Sequence, residues 1–224
     1  YPARLQLTNF LKGRRAPKGS PILPAEYADQ LDLEELTLAE ALGSAGYATC
    51  HVGKWHLGGE QFAPQYQGFD RNIAGTHSGM PRSFFWPRWK GNPPILGDFE
   101  GQYLPDRLSA DACDFIHENK DGPFFLYLSH YAVHIPIEGK PDKVAKYQQL
   151  LRENPPKEGQ QDNPHYAAMV ESVDESVAGV LKTLQELNIE DRTAVFFFSD
   201  NGGLSTPEGK NTPATINAPL RAGK

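Results

Sequence analysis

Residues 46–59 read GYATCHVGKWHLGG. Tyr47 to Val52 form a short run rich in apolar and β-branched residues between Gly46 and Gly53, which is the composition of a strand bounded by glycines. Immediately upstream, Thr37 is followed three residues later by Glu40, the pattern of a capping box. Leu38, Ala41, Leu42 and Ala45 then supply an apolar face that ends at Gly46. The spacing predicts a helix over 37–45 and a strand over about 47–52. That alternation belongs to an α/β sheet and leaves Lys54, Trp55 and His56 just beyond the carboxyl end of a strand.

Outward from this stretch the same logic recurs. PFFLYLS at 123–129 is a continuous apolar and aromatic run, as expected of a parallel strand covered on both faces, and it ends beside His130. TAVFFFSDNGG at 193–203 predicts a third buried strand over about 193–198, which delivers Asp200 and Asn201 past its end. Between the strands, Asp106 to Lys120 reads as a helix. A second helix starts at Asn163 and Pro164, a cap and first-position pair, with Val170, Val173, Val177, Leu181, Leu184 and Leu187 recurring at three- and four-residue steps. Residues 60–105, which include SFFWPRWKGNPP, are rich in Gly, Pro and aromatics without a clear period, so they read as an ordered surface excursion. No internal repeat or interdomain linker divides the chain. The expected fold is α/β, with a mostly parallel central sheet covered by helices.

Composition narrows the function classes. A hydrophobic fraction of 39% with 21 Gly fits a folded globular chain rather than a disordered one. The net charge of -6 gives no electrostatic reason to expect nucleic acid, whose phosphates select basic surfaces. Residues 1–19 are basic but broken by Gly and Pro, and read as a solvated surface loop. No apolar run is long enough to span a membrane. Cys50 and Cys113 exclude a disulfide framework, and their apolar neighbours make them packing cysteines.

In open parallel sheets ligands bind beyond the carboxyl ends of the strands, and the three predicted strand ends carry GKWH, SHYAVH and SDNGG. If 54–56 continues extended, Lys54 and His56 share one face while Trp55 takes the other. His130 and His134 lie four apart, and either is able to titrate near neutrality; His130 reads as a structural histidine, whereas His134 is as well suited to acid catalysis. Asp200 and Asn201 are hard oxygen donors on small side chains, suited to Ca²⁺ or Mg²⁺. Taken singly, each has an ordinary reading: a loop lysine, a hydrogen-bonded histidine, a strand-ending turn. Their convergence is what points to a site.

GYATCHVGKWHLGG, FLYLSHYAVHIPI at 125–137, FFFSDNGG at 196–203 and NAPLRAGK at 217–224 resemble, in order, successive blocks of the formylglycine-dependent sulfatases. The resemblance covers nearly the whole chain and implies an alkaline-phosphatase-like sandwich, incomplete at both ends, with residues 1–224 forming part of the catalytic domain. It implies a sulfuric ester hydrolase that releases inorganic sulfate from a sulfated small molecule or carbohydrate. By the same resemblance Lys54 binds the sulfate, His56 assists the formylglycine group, and His134 binds sulfate and donates a proton to the leaving oxygen. Lys224 is the second sulfate-binding lysine, and Asp200 and Asn201 are two ligands of a Ca²⁺ or Mg²⁺ ion. The CxPxR motif whose Cys or Ser becomes formylglycine is not in these residues, and neither is an early Asp pair; both are expected upstream of Tyr1. The family implies a periplasmic, extracellular or lysosomal setting. Two alternatives remain: a phosphate or phosphonate ester hydrolase of the same superfamily, and an inactive protein that binds sulfated glycan. The aromatic segment from His77 to Trp89, with Phe84, Phe85, Trp86, Arg88 and Trp89, either stacks on sugar rings or packs as core.

Overall fold

A computed structural model describes residues 4–5, 18–22, 27–220 and 223. Most of the basic run at 1–19, and Lys224, lie outside the described residues. Helix α1 (Leu38–Ser44) is followed by strand β1 (Ala48–Gly53), short strand β2 (Arg71–Ile73), helix α2 (Leu104–Asn119), strand β3 (Phe124–Ser129), and helices α3 (Pro141–Glu153) and α4 (Pro164–Glu186). The sheet order is β2-β1-β3, with both pairings parallel.

The capping box forms as its spacing predicts. The Glu40 amide donates to the Thr37 hydroxyl at 3.1 Å and the Thr37 amide donates to the Glu40 carboxylate at 2.7 Å. The Thr37 hydroxyl also donates to the Gln67 carbonyl at 2.7 Å, tying α1 to the chain ahead of β2. The buried face differs from the expected one. Ala39 is the buried residue of α1, packed with Leu31, Trp55 and Phe69, whereas Leu38, Ala41 and Ala45 face solvent.

β1 is the centre of the sheet and is buried from Thr49 to Gly53. Cys50 and Val52 face a core made with Phe84, Trp89, Tyr103, Leu104, Leu108, Phe115, Tyr131 and Met169. Phe84 and Trp89 are therefore core residues and present no ring to a ligand. β3 is only half-buried, and Tyr127 on it is exposed, so this strand is not covered on both faces. α3 and β2 are absent from the sequence reading, because α3 is mostly polar and β2 is only three residues long.

α4 begins where Asn163 and Pro164 place it; the Asn163 side chain accepts from the amides of His165 and Tyr166 at 3.0 Å. Its buried face is rotated from the branched-residue stripe and runs through Ala168, Met169, Ser172, Ser176, Thr183 and Leu184, leaving Val170 and Leu181 exposed. Small residues win because the neighbouring chain comes close: a Cβ at Gly139 would lie 2.5 Å from the Ala168 Cβ. Two hydroxyls on this face are satisfied within the helix, Ser172 donating to Ala168 at 2.9 Å and Thr183 to Gly179 at 3.0 Å, whereas Ser176 Oγ bonds outside it to His130.

The expected third strand over 193–198 is corrected by the structure. These residues join no ladder, and Phe196, Phe197 and Phe198 are 85%, 75% and 76% exposed. A continuous apolar run predicts two covered faces, and among the described residues neither cover nor pairing partner is supplied. The arm is anchored at both ends instead. The Thr193 hydroxyl donates to Ile189 at 2.8 Å, and Gly203 exchanges hydrogen bonds with the Asn217 side chain at 3.0 and 2.9 Å.

Candidate active site

The register of β1 against β3 sets Gly53 opposite Ser129, so the loops carrying Lys54 and His134 leave the sheet side by side. Gly53 has φ +106°, and a Cβ there would fall 2.0 Å from the Ser129 carbonyl oxygen, so only glycine allows this approach. The next residues do not continue extended. His56 has φ +57°, and its amide donates to the Thr76 carbonyl at 2.9 Å. Trp55 turns into the protein, its indole donating to the Phe62 carbonyl at 2.8 Å.

Lys54 reaches the other way. Its side chain is 17% exposed, and its ammonium lies 3.9 Å from a carboxylate oxygen of Asp200, whose side chain is 72% exposed. Burial lowers the lysine pKa from its ordinary value, and the Asp200 carboxylate opposes that shift. Asp200 also lies close enough to Tyr127 to act on it: burial chiefly raises the phenol pKa, and the Asp200 charge adds to the effect. The Asn201 side-chain amide donates to the same oxygen that Lys54 approaches, Asp200 Oδ2, at 2.9 Å.

His56 is held in a tight niche. A Cβ at Gly79 would lie 2.5 Å from its ring, and the His77 ring stands 6.0 Å away, edge to face. His134 occupies the loop after β3, where its amide donates to Tyr131 at 3.0 Å and its Nδ1 donates to the Ile135 carbonyl at 3.3 Å. His130 points inward, with Nε2 hydrogen-bonded to Ser176 Oγ at 3.0 Å, and burial drives its pKa down to about 4. It is a structural link between β3 and α4, bonded to a side chain rather than to backbone. Cys50 is also interior, and burial pushes its thiol up to about 12, well away from a reactive thiolate.

Lys54 and Asp200 are thus brought into contact, Asn201 joins Asp200, and His56 and His134 stand at the exits of adjacent strands. Asp200 and Asn201 are oxygen donors of the kind Ca²⁺ and Mg²⁺ take, so the pair fits part of such a site. Among the described residues no group of three or more His, Cys, Asp or Glu is placed to hold a metal. Two neighbours carried another reading in the sequence. His77 opens the aromatic segment that either stacks on sugar rings or packs as core, and Tyr127 lies in an apolar run that read as core. Alternation along β3 was the available signal for Tyr127, since one face of a half-covered strand is open.

The model of the sulfatase family matches residues 5–220. Human N-acetylgalactosamine-6-sulfatase is 32% identical over 94% of this chain and 41% of its own length, and a Formosa agariphila sulfatase is 31% identical over 94% and 46%. The crystal structure of Ps i-CgsB in complex with k-i-k-neocarrahexaose superposes with a TM-score of 0.65 at 29% identity, covering 87% of this chain and 45% of that one. The chain therefore spans less than half the length of these relatives. A putative sulfatase from Bacteroides fragilis, at 22% identity and TM-score 0.53, shares the fold. Among the described residues no helix is long and apolar enough to cross a membrane. The parallel β2-β1-β3 sheet with its helices is part of an alkaline-phosphatase-like α/β fold, and with a family match from residue 5 to residue 220 the chain belongs to the sulfatase family.

Proposed function

We propose that this chain is part of the catalytic domain of a sulfuric ester hydrolase that acts on a sulfated carbohydrate. The observation that carries the reading is the 3.9 Å approach of the Lys54 ammonium to the Asp200 carboxylate beyond the strand ends. A largely buried ammonium beside an exposed pair of oxygen donors is an arrangement in which one face holds an anion and the other a cation.

In this reading Lys54 binds a sulfate oxygen as a fixed charge, already desolvated by its position and so effective without reorganisation. His134 hydrogen-bonds the ester oxygen and gives it a proton as the bond to sulfur breaks, so that the alcohol leaves neutral. His56 orients the nucleophile from its niche against Gly79. Asp200 and Asn201 would hold a divalent cation, which when bound supplies positive charge to the sulfate oxygens. The attacking oxygen is expected from a formylglycine hydrate outside these residues, and Lys224 would contribute a second cation. The names of the relatives support a carbohydrate substrate. So do the half-buried Phe85 and Trp86 and the exposed Arg88, whose guanidinium lies 5.4 Å from the Phe85 ring centre.

The test is an assay of the full-length polypeptide on matched sulfate and phosphate monoesters of one sugar. The reading expects release of sulfate well ahead of phosphate. Preferential phosphate release, or glycan binding without turnover, would overturn it.

A further inference from the structure

His51 is an unexpected residue for the middle of the central strand. It is fully buried between Cys50 and Val52, and its Nδ1 makes no hydrogen bond of normal geometry, although the Asn72 side chain lies nearby. Its ring is enclosed by Trp55 at 5.3 Å and Phe69 at 5.5 Å, an environment where an aliphatic side chain would pack without polar cost. What the imidazole contributes is its other nitrogen: Nε2 lies 3.1 Å from the carbonyl oxygen of Lys54. A carbonyl only accepts, so this nitrogen carries the hydrogen, and the tautomer follows from that bond. The Ser129 hydroxyl donates to the same oxygen at 2.7 Å. The Lys54 amide in turn donates to the Ser129 carbonyl at 2.7 Å. Both lone pairs of the Lys54 carbonyl and its single N–H are therefore engaged, by groups from β1 and β3.

We propose that His51 and Ser129 are positioning residues for Lys54, saturating its carbonyl and so fixing the peptide plane from which the ammonium reaches the anionic group of the substrate. This rests on the reading of Lys54 as a sulfate-binding charge. The physical reason is directional. Lys54 leaves a strand through Gly53, whose φ of +106° gives the chain no side chain of its own to brace the turn. The backbone of Lys54 sets where its Cα–Cβ bond points, and a long flexible side chain magnifies any rotation there. A displacement of about 1 Å at a reacting group is enough to lose about 10²-fold in rate. Two donors from adjacent strands, one hydroxyl and one rigid ring, remove that freedom. Burial holds the His51 pKa down to about 4, although the bond to the Lys54 carbonyl and, less, the Asn72 side chain favour the protonated form, so the ring stays neutral through the neutral range.

The test is a set of variants in the full-length polypeptide, read by kcat/KM on a sulfate ester, by inhibition with inorganic sulfate, and by melting temperature. Ser129→Ala removes one donor yet keeps the backbone bond to Lys54. His51→Leu removes the other, while His51→Gln returns an N–H near the Nε2 position. Ser129→Ala and His51→Leu are expected to lower kcat/KM about tenfold and weaken sulfate inhibition in parallel, a loss the size of one hydrogen bond. His51→Gln should recover most of it. In a Lys54→Ala background neither change should lower kcat/KM further, because the ammonium they position is gone. An undiminished tenfold loss in that background, or parent kinetics in both single variants while Lys54→Ala is impaired, would overturn the positioning role alone. Full activity in Lys54→Ala itself would overturn the reading beneath it.

Discussion

Lys54 and Asp200 meet at 3.9 Å, yet the backbones that deliver them are held in opposite ways. Lys54 leaves the buried central strand through a glycine that touches β3, with its amide and carbonyl both bonded. Asp200 ends an arm whose three phenylalanines face solvent and which, apart from its ion pair with Lys54, is held by hydrogen bonds at Thr193 and Gly203. One side of the site is built into the fold of these residues, and the other is presented by a segment that pairs with no strand among the described residues. A pair of charges in contact is thus no measure of how firmly each is placed, since stability varies with local packing and bonding.

The largest expected effect lies at the strand exits. In the full-length enzyme His134→Ala should slow esters with basic leaving groups by about 10²–10⁴-fold, while nitrophenyl-type sulfates lose far less, because proton donation matters most when the departing oxygen is basic. A leaving-group series checks this, and an equal loss across it would remove His134 from the acid role.

Gly53→Ala attacks the rigid side. The new Cβ would sit 2.0 Å from the Ser129 oxygen at a left-handed φ, so the strand exit must open, at a cost of at least about 3 kcal/mol in chemical unfolding. Gly46→Ala is the control: its φ is +86° but nothing lies within 4 Å, and the cost should be limited to about 1–2 kcal/mol.

The rigid side also holds two neutral imidazoles, His51 and His130, whose pKa values burial lowers to about 4. The unfolded chain protonates such rings near 6.5, so between pH 6.5 and 4 it binds more protons than the folded chain. Their contribution to stability is intact above that window and falls as pH falls through it. Melting temperatures across the window should drop, and His130→Gln should flatten the slope.

On the exposed arm, effects on stability should be small. Phe197→Ser is expected to change unfolding free energy by no more than about 0.5 kcal/mol, since the ring is 75% exposed. It should nonetheless reduce self-association of this chain, measured by sedimentation, because it interrupts an exposed apolar patch.

This contrast also explains what the sequence disclosed. β1, β3 and the caps of α1 and α4 are legible because their signals are local: a capping box, an Asn-Pro start, a glycine-bounded apolar run. The buried faces of α1 and α4 are not, because they run through small residues such as Ala39, Ala168, Ser172 and Ser176, and the approach of Gly139 to Ala168 is a tertiary contact with no local signal. TAVFFFS reads as a buried strand because a continuous apolar run reports that cover is wanted, not that it is present. At the site, the ordered motifs bring out Lys54, His56, His134, Asp200 and Asn201. His51, Tyr127 and Ser129 lie inside the same motifs and His77 lies in the aromatic segment, but what each of them touches emerges only from packing.

The most direct test is inhibition by inorganic sulfate in the full-length enzyme, compared between the parent and Lys54→Ala alongside their melting temperatures. Loss of one charge-assisted contact is expected to weaken sulfate binding by roughly ten- to a hundredfold. The fold should stay intact, because the ammonium faces the site rather than the core. Unchanged inhibition together with a large fall in melting temperature would contradict the account and leave Lys54 as a structural residue.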